Sequence, residues 1–328
     1  NISSSGNQTY NDNVTYTGNR TLTTGAGGEV LFNGTVTKAD VNSSLTIAVG
    51  SIDAASTIDV ESITVASTAE LSGNVTALDG ITIGGTTTLI NDVTLDSTGD
   101  EDTDDINLAA VTGAGGGTQD LILDAGALAQ ISVTGAITNL TDLTIRDSGG
   151  ATFAAVTVSN NLIISESAGD IIFNGALNAG TLTQTADLNT AYNLQFNAGG
   201  AITTAVNFSN AGTVSIGADG TTTQFTGGLI VTTPTALTLA GTVRTIGTTM
   251  TLGDGDTGIT LAENTTLSTV GGALNINGTL AGADNDDSLT LNSEGATTIN
   301  GIISGITTLT TDADGTTIIN ANVSSSGN

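Results

Sequence analysis

The sequence predicts an all-β fold, a single-stranded parallel β-helix (β-solenoid), and three observations support this. First, triplets with apolar ends and a polar or apolar middle recur in two interleaved series, at 206–208, 229–231, 250–252 and 274–276, and at 214–216, 237–239 and 259–261. Second, successive members of each series lie 21 to 24 residues apart. Third, the intervening residues are mainly Gly, Asn, Asp and Thr. Such a triplet predicts a half-buried strand because side chains alternate faces, and a repeat of this length predicts a solenoid.

The composition indicates a thin core. Apolar residues make up 38% of the chain but aromatic residues only 3%, with no Trp, one Met and one Pro. Charged residues make up 11%, against about 25% in typical proteins. Stacked turns explain this scarcity, since like charges repel when they repeat at a strand spacing of about 4.8 Å.

The charge and the missing residue types exclude several classes of function. Four basic residues stand against 32 acidic ones, for a net charge of -28, which argues against nucleic acid or an anionic membrane as partner. Without Cys there is no disulfide or thiolate chemistry, and without His the usual general base is missing. No apolar run approaches the roughly 18 residues of a membrane span, so we expect no membrane insertion.

The chain begins with a polar segment, residues 1–27, which is followed by a short sequence motif that recurs, here called the phrase. The phrase at 30–36 returns at 171–177 and 274–280, and in part at 298–303; in each copy an apolar strand ends at Asn-Gly. Both residues accept left-handed backbone angles, so the dipeptide predicts a corner. Asn-Gly is also the strongest hairpin signal, which leaves a meander of antiparallel hairpins as the alternative fold. The long-range period argues against that alternative.

Residues 45–164 contain the same kind of apolar triplets, but the spacing between successive triplets is less regular. The acidic stretch at 99–105 and the glycine cluster at 113–117 are predicted as surface insertions at corners, where the length of a turn is free to vary. No proline-rich or charged linker divides the chain. We therefore expect one continuous domain, 1–328, of about 15 coils of about 22 residues each.

The two ends match each other. Residues 1–7 and 322–328 differ only by Ile2 for Val323. Chance similarity of Ser/Asn-rich tails is one explanation; the other is that the chain is one 321-residue unit of a larger tandem repeat. Because the chain begins with Asn, we expect a processed product or part of a longer protein.

Neither end carries a recognisable cap, and uncapped strand edges are templates for further pairing. We therefore expect the ends to join to copies of the same chain, head to tail. The residues predicted to do so are Ile2, Ser4, Asn7, Val323, Ser325 and Asn328.

Three segments, 8–15, 171–177 and 286–292, resemble the repeat region of filamentous-haemagglutinin-like bacterial surface proteins. The resemblance extends over most of the chain and lies in the general character of the sequence rather than in a specific motif. It implies a right-handed parallel β-helix that bacteria export as long fibres for adhesion or matrix. That family's amino-terminal secretion domain is not recognisable in this sequence.

Acidic corners are the candidate metal sites, since carboxylate oxygens are ligands that Ca²⁺ prefers. The candidates for weak calcium binding are Asp102, Asp104, Asp254, Asp256, Asp284, Asp286, Asp312 and Asp314. None completes an EF-hand loop or a glycine-rich nonapeptide repeat. Solvated loop charge is the alternative interpretation, and we expect no other cofactor.

Other candidate chemistry is weaker. The G-x-G-x-x-G spelling at 253–258 precedes a strand rather than a helix, so it predicts a tight corner and not a nucleotide site. Asp142, Arg146 and Asp147 form the one tight acid–base grouping, with an exposed ion pair as the alternative. Lys38 suggests an intramolecular isopeptide bond, with a solvated lysine as the alternative. We do not expect an enzyme.

N-x-Ser/Thr motifs are frequent. They include Asn7, Asn13, Asn19, Asn33, Asn74, Asn139 and Asn277. Glycosylation of an exposed surface is one interpretation, and stacked or corner asparagines are the other.

The expected function is that of a structural subunit of an extracellular bacterial fibre or sheath, secreted or at the cell surface, that assembles end to end by strand stacking. The alternative is an adhesin segment whose corner loops bind a glycan or a host receptor. A polysaccharide-active enzyme is a third reading; it would need two positioned carboxylates, or a base beside a cation.

Overall fold

The computed structural model describes residues 1–99, 101–185, 191–284 and 286–326. The fold is all-β, a parallel β-solenoid of about 14 turns that follow one another about 22 residues apart. This confirms the predicted fold class, with one turn fewer than expected. The strand pairings between described residues are all parallel, so the hairpin alternative is wrong. No helix in the described ranges has the length and apolarity that a membrane crossing requires.

The chain divides into two compact units, Asn1–Asp170 and Ile171–Asn328. The expectation of one continuous domain stays a prediction.

The strands of the first unit are β1 (Ile2–Ser3), β2 (Gln8–Tyr10), β3 (Val14–Tyr16), β4 (Arg20–Thr23), β5 (Glu29–Phe32), β6 (Val36–Lys38), β7 (Leu45–Val49), β8 (Ser51–Ala54), β9 (Ile58–Val60), β10 (Ile63–Val65), β11 (Ala69–Leu71), β12 (Val75–Ala77), β13 (Ile81–Leu89), β14 (Val93–Asp96), β15 (Ile106–Gly113), β16 (Gln119–Val133), β17 (Ile137–Phe153), β18 (Val156–Val158) and β19 (Asn161–Ile164).

Each turn of the first unit contributes three strand segments, which build three parallel stacks. The early turns show this most simply: β1, β4, β7 and β10 form one stack, β2, β5, β8 and β11 the next, and β3, β6, β9 and β12 the third. The register places like over like, as in the inward column Ile47–Val65–Ile83, whose members are at most 3% exposed. The core is therefore a set of narrow apolar columns inside the stacks.

The strands of the second unit are β20 (Ile171–Phe173), β21 (Leu177–Ala179), β22 (Thr181–Gln184), β23 (Leu194–Phe196), β24 (Gly200–Ile202), β25 (Val206–Phe208), β26 (Thr213–Ile216), β27 (Thr222–Phe225), β28 (Leu229–Val231), β29 (Ala236–Ile246), β30 (Met250–Leu252), β31 (Gly258–Val270), β32 (Leu274–Ile276), β33 (Leu280–Gly282), β34 (Ser288–Ser293), β35 (Ala296–Ile299), β36 (Ile303–Ile306), β37 (Thr308–Thr311), β38 (Thr316–Ile319) and β39 (Val323–Ser325).

Both predicted triplet series are real stacks. One is β25, β28, β30 and β32; the other is β26 with the first halves of β29 and β31. A third stack, formed by β27, the second halves of β29 and β31, and β34, was not predicted. One of its two inward columns runs from Phe225 to Thr245, Thr269 and Ser293, so the apolar pattern is lost in that column.

These inward hydroxyls are buried but hydrogen-bonded. Thr245 Oγ1 donates to the Thr248 carbonyl at 2.8 Å. Thr269 Oγ1 lies 2.7 Å from the Gly272 carbonyl and 2.8 Å from Ser293 Oγ. A buried polar group is tolerated when it has a partner, which explains how this column continues beside the apolar column Val243–Leu267–Leu291.

The Asn-Gly dipeptides lie at corners as predicted, but for a different reason. Neither residue adopts a positive φ at Asn277–Gly278 or at Asn300–Gly301. A Cβ on Gly301 would collide with the carbonyl oxygen of Gly278, and a Cβ on Gly278 with that of Thr257. Glycine is needed because the backbone of the neighbouring turn passes too close for any side chain.

Candidate functional site: stacking surfaces and acidic corners

Asparagine side chains form hydrogen-bonded ladders between turns. Asn300 Nδ2 donates to Asn277 Oδ1 at 2.8 Å, and Asn320 Nδ2 donates to Asn300 Oδ1 at 2.8 Å. Shorter ladders join Asn33 to Asn11 and Asn197 to Asn174. An amide can accept from one turn and donate to another without charge repulsion, so it suits an exposed column.

A second device ties a corner side chain to the backbone of the adjacent turn. The side-chain oxygen of an Asn or Asp, either just before a strand or inside one of the long strands, accepts an N–H from the next turn at 2.7–3.1 Å. The acceptors include Asn7, Asn13, Asn19, Asn74, Asp92, Asp120, Asp142, Asn193 and Asn264. Five of these asparagines belong to N-x-Ser/Thr motifs, so the oxygens of their side-chain amides have a structural role. Glycosylation stays a prediction.

Outward positions form hydroxyl columns. In the second unit Thr222, Thr242, Thr266, Thr290 and Thr310 follow one another in register. A groove of about 250 Å³ runs beside the middle of this column and is lined by Thr242, Thr266, Thr290 and Asn264 among others. The surface therefore offers evenly spaced hydroxyl and amide groups.

The first described turn has parallel partners on one side. β1, β2 and β3 pair with β4, β5 and β6, and nothing in the described residues pairs with their other edges. Ile2 is in register with buried Leu22 but is itself 47% exposed. A cavity of about 210 Å³ opens beside it, lined mainly by apolar and aromatic side chains, Tyr10 and Phe32 among them.

Of the other residues predicted for this end, Ser4 and Asn7 make local contacts. The Ser4 N–H donates to Thr23 O at 3.0 Å, and Asn7 Oδ1 accepts the Glu29 N–H at 3.0 Å. Both residues thus fasten the first turn to the second.

The last described turn mirrors this arrangement. β37, β38 and β39 pair with β34, β35 and β36, and their opposite edges meet no strand in the ranges described. Ile319 is in register with Ile299, which is fully buried, yet Ile319 is 53% exposed. The predicted Val323 and Ser325 lie in β39, in register with β36. Asn328 lies outside the described residues.

Acidic side chains line two columns of the first unit. Asp92, Asp120 and Asp142 form one; the N–H of each successive member donates to the carboxylate of the one before, at 3.0 and 3.1 Å. Burial raises the pKa of the Asp120 carboxyl, and the neighbouring charges of Asp142 and Asp92 raise it further. The Asp120 carboxyl is therefore harder to ionise than a solvated aspartate.

Asp96, Asp124 and Asp147 form the second column. The Arg146 guanidinium lies 3.3 Å from Asp124 Oδ2, in the preceding turn. Burial raises the Asp124 pKa, Asp96 adds to the rise, and Arg146 opposes it. The predicted grouping of Arg146 with Asp142 and Asp147 is thus replaced by a pair across turns, and Asp142 Oδ1 instead accepts the Asn161 N–H at 2.7 Å.

The predicted metal residues behave differently from one another. Asp102 is exposed, whereas Asp104 is 1% exposed and accepts the Glu101 N–H at 2.9 Å. Asp254 Oδ1 accepts the N–H groups of Asp256 and Thr257, both at 2.9 Å, and these bonds lower its pKa. Asp254 therefore holds a tight corner, as predicted for 253–258, and Gly258 begins strand β31.

Asp284 and Asp286 do come together, with Asp287 as a third member. Their carboxylate oxygens lie within 4.8 Å of one another, the one such trio found among the described residues. Asp287 is 4% exposed and accepts the Ala283 N–H at 3.2 Å; burial raises its pKa. Asp312 and Asp314, by contrast, lie near each other in sequence but join no trio in the described part of the chain.

Lys38 is not a solvated side chain. Its Nζ lies 2.8 Å from Glu61 Oε2 and 2.9 Å from the Val60 carbonyl, and the Lys38 and Glu61 side chains are 14% and 12% exposed. The single lysine of the chain thus neutralises one carboxylate at an acidic corner. No observation supports an isopeptide bond there.

No protein-family model matches the chain, and neither a curated protein nor a solved structure matches it.

Proposed function

We propose that the protein is a structural subunit of an extracellular bacterial fibre or sheath, in which β-solenoids join end to end by continued strand stacking. The observation that carries the proposal is Ile319. It occupies an inward position whose equivalents in the two preceding turns, Ile299 and Ile276, are fully buried, yet it is 53% exposed. A further turn on that edge would bury it.

The chemistry of the turns supports the same proposal. Parallel backbone pairing joins successive turns, and asparagine ladders or corner side chains that accept from the adjacent turn reinforce it at several of them. None of these contacts is specific to one pair of turns. A turn that follows in the same chain, or the first turn of a second copy, would make the same contacts on the edges of β37, β38 and β39.

Electron microscopy of the purified chain tests the proposal. We expect filaments of regular width for the wild type and short or absent filaments for Ile319→Asp, because a charge would be buried at the junction. Ile230→Asp is the matched control. Ile230 is 43% exposed, but its strand, β28, has partners on both sides, so filaments should persist. Single particles at high concentration, or equal behaviour of the two variants, would contradict the proposal.

A glycan-binding adhesin is the second candidate, and the hydroxyl-lined groove beside Thr242, Thr266 and Thr290 favours it. Hydroxyl and amide groups can exchange hydrogen bonds with sugar hydroxyls. A glycan array tests this candidate: a ligand whose binding is lost in Thr266→Val supports it, and no binding to any glycan counts against it.

A further inference from the structure

One corner of the first unit stacks three acidic residues in successive turns. Glu61, Asp79 and Asp104 each lie two residues before an inward isoleucine, and these isoleucines, Ile63, Ile81 and Ile106, are in register. The backbone confirms the alignment, since the Asp79 N–H donates to Glu61 O at 2.6 Å.

Lys38 compensates only one end of this column. Its ammonium group contacts Glu61 at 2.8 Å. Burial raises the Asp79 pKa, and the charges of Glu61 and Asp104 raise it further, whereas Lys38 opposes the rise. The strands that follow Asp79 and Asp104 are paired in register, so these two carboxyls belong to adjacent turns in a region of excess negative charge.

Asp104 is the unusual member. It is 1% exposed, and while its Oδ2 accepts the Glu101 N–H, its Oδ1 has no hydrogen-bond donor in the described ranges. A buried carboxylate oxygen without a donor is unfavourable unless a cation compensates it. This oxygen is the observation that distinguishes the corner from an ordinary solvated acidic loop.

The surroundings of Asp104 supply further oxygen. The Leu78 carbonyl oxygen and Asp104 Oδ2 both lie where a Cβ on Gly99 would be, so only glycine fits between them. Ser97 Oγ, in the same loop, is also buried without a partner in the described chain. Oxygen groups of this kind, without nitrogen or sulfur ligands, match the preference of Ca²⁺.

We propose that Asp79 and Asp104, with the Leu78 carbonyl, bind one Ca²⁺ ion that neutralises this acidic column. The ion lies between turns of a single chain, so its binding is independent of the proposed assembly of fibres. Asp102, which the sequence suggested beside Asp104, is exposed and takes no part.

Calorimetric titration of the full-length chain with CaCl₂ tests the site. All variants carry Asp284→Asn and Asp286→Asn, which removes the other carboxylate cluster. In that parent we expect one calcium site. Asp104→Asn, which retains an oxygen for the Glu101 N–H, should weaken it by about tenfold or more. Asp79→Asn should weaken it in the same direction, and Asp102→Asn should bind like the parent.

Two results would overturn the proposal. One is a parent that binds no calcium. The other is equal affinity in the parent and in Asp104→Asn. If Asp104→Asn does not fold, Asp79→Asn decides, because Asp79 is exposed and its replacement leaves the interior unchanged.

Discussion

Asn300 lies in the middle of a three-residue ladder: its Nδ2 donates to Asn277 Oδ1 at 2.8 Å, and its Oδ1 accepts from Asn320 at the same distance. One amide thus joins three successive turns. The sequence, in which Asn277 and Asn300 each precede a glycine, predicts a role in the backbone conformation of a corner instead. The ladder identifies the side chain as a contact between turns.

The ladder can be tested by replacing its central amide. We expect Asn300→Ala to lower the free energy of unfolding by about 1–2 kcal/mol, since two hydrogen bonds are lost. Asn300→Asp should cost more, because a carboxylate cannot donate to Asn277. Urea unfolding measures both, with Asn160→Ala, an exposed asparagine, as control. Equal stability of wild type and Asn300→Ala would contradict the role of the ladder.

The buried hydroxyl column makes a second prediction. Thr269→Val keeps the shape but removes the donor to Gly272 O, so we expect a loss of about 1–2 kcal/mol. Thr266→Val, outward on the same strand, should change stability by less than about 0.5 kcal/mol. Thermal and urea unfolding compare the two. If both variants are equally stable, the inward hydroxyl does not support the stack.

Buried phenylalanine rings pack against one another in the core of the second unit. The Phe196 ring stacks on Phe173 at 5.6 Å between centroids and meets Phe208 edge-on at 5.8 Å; Phe196 is 1% exposed. We expect Phe196→Ala to cost about 3–5 kcal/mol and Phe196→Leu clearly less, because the cavity is smaller. Denaturant unfolding of both variants checks this. A small loss in the free energy of unfolding for Phe196→Ala would contradict this prediction, because it would mean that the neighbouring turns fill the cavity.

Stability should depend on pH through Asp120. Its pKa is raised in the folded chain by burial and by Asp142 and Asp92, so the folded state holds its proton more tightly than the unfolded state does. The stabilisation from that proton is complete below the ordinary value of 3.8 and is lost as the pH rises through the raised pKa. Asp120→Asn, which retains an acceptor for the Asp142 N–H, should therefore melt higher than wild type at neutral pH.

The advantage of Asp120→Asn should disappear below the ordinary aspartate pKa of 3.8. Melting curves across this range measure the difference, with the exposed Asp219→Asn as control. If Asp120→Asn is no more stable than wild type at neutral pH, the ionised Asp120 carboxylate does not destabilise the fold.

Much of the fold was predictable because two of the three stacks in the second unit have apolar inward positions, as in Val206–Phe208 and Val214–Ile216. The third stack was missed because one of its two inward columns carries the hydroxyls of Thr245, Thr269 and Ser293, which interrupt the apolar alternation. Local hydrogen bonds make that substitution possible, and these are visible only in the folded chain.

The candidate sites were less predictable. Asp284 and Asp286 were found as neighbours in sequence, and they do approach each other. Glu61 and Asp79 were missed because they lie 18 residues apart, and Asp104 a further 25. Those intervals indicate a column only once the register of the turns is known. Sequence spacing likewise could not separate buried Asp104 from exposed Asp102.

The central claim is that the edges of the terminal turns continue the stack onto other copies of the chain. Sedimentation velocity of the wild-type protein over a wide concentration range tests it most directly. The account predicts species that grow with concentration in multiples of the 32.2 kDa chain. A single 32.2 kDa species at every concentration would contradict it.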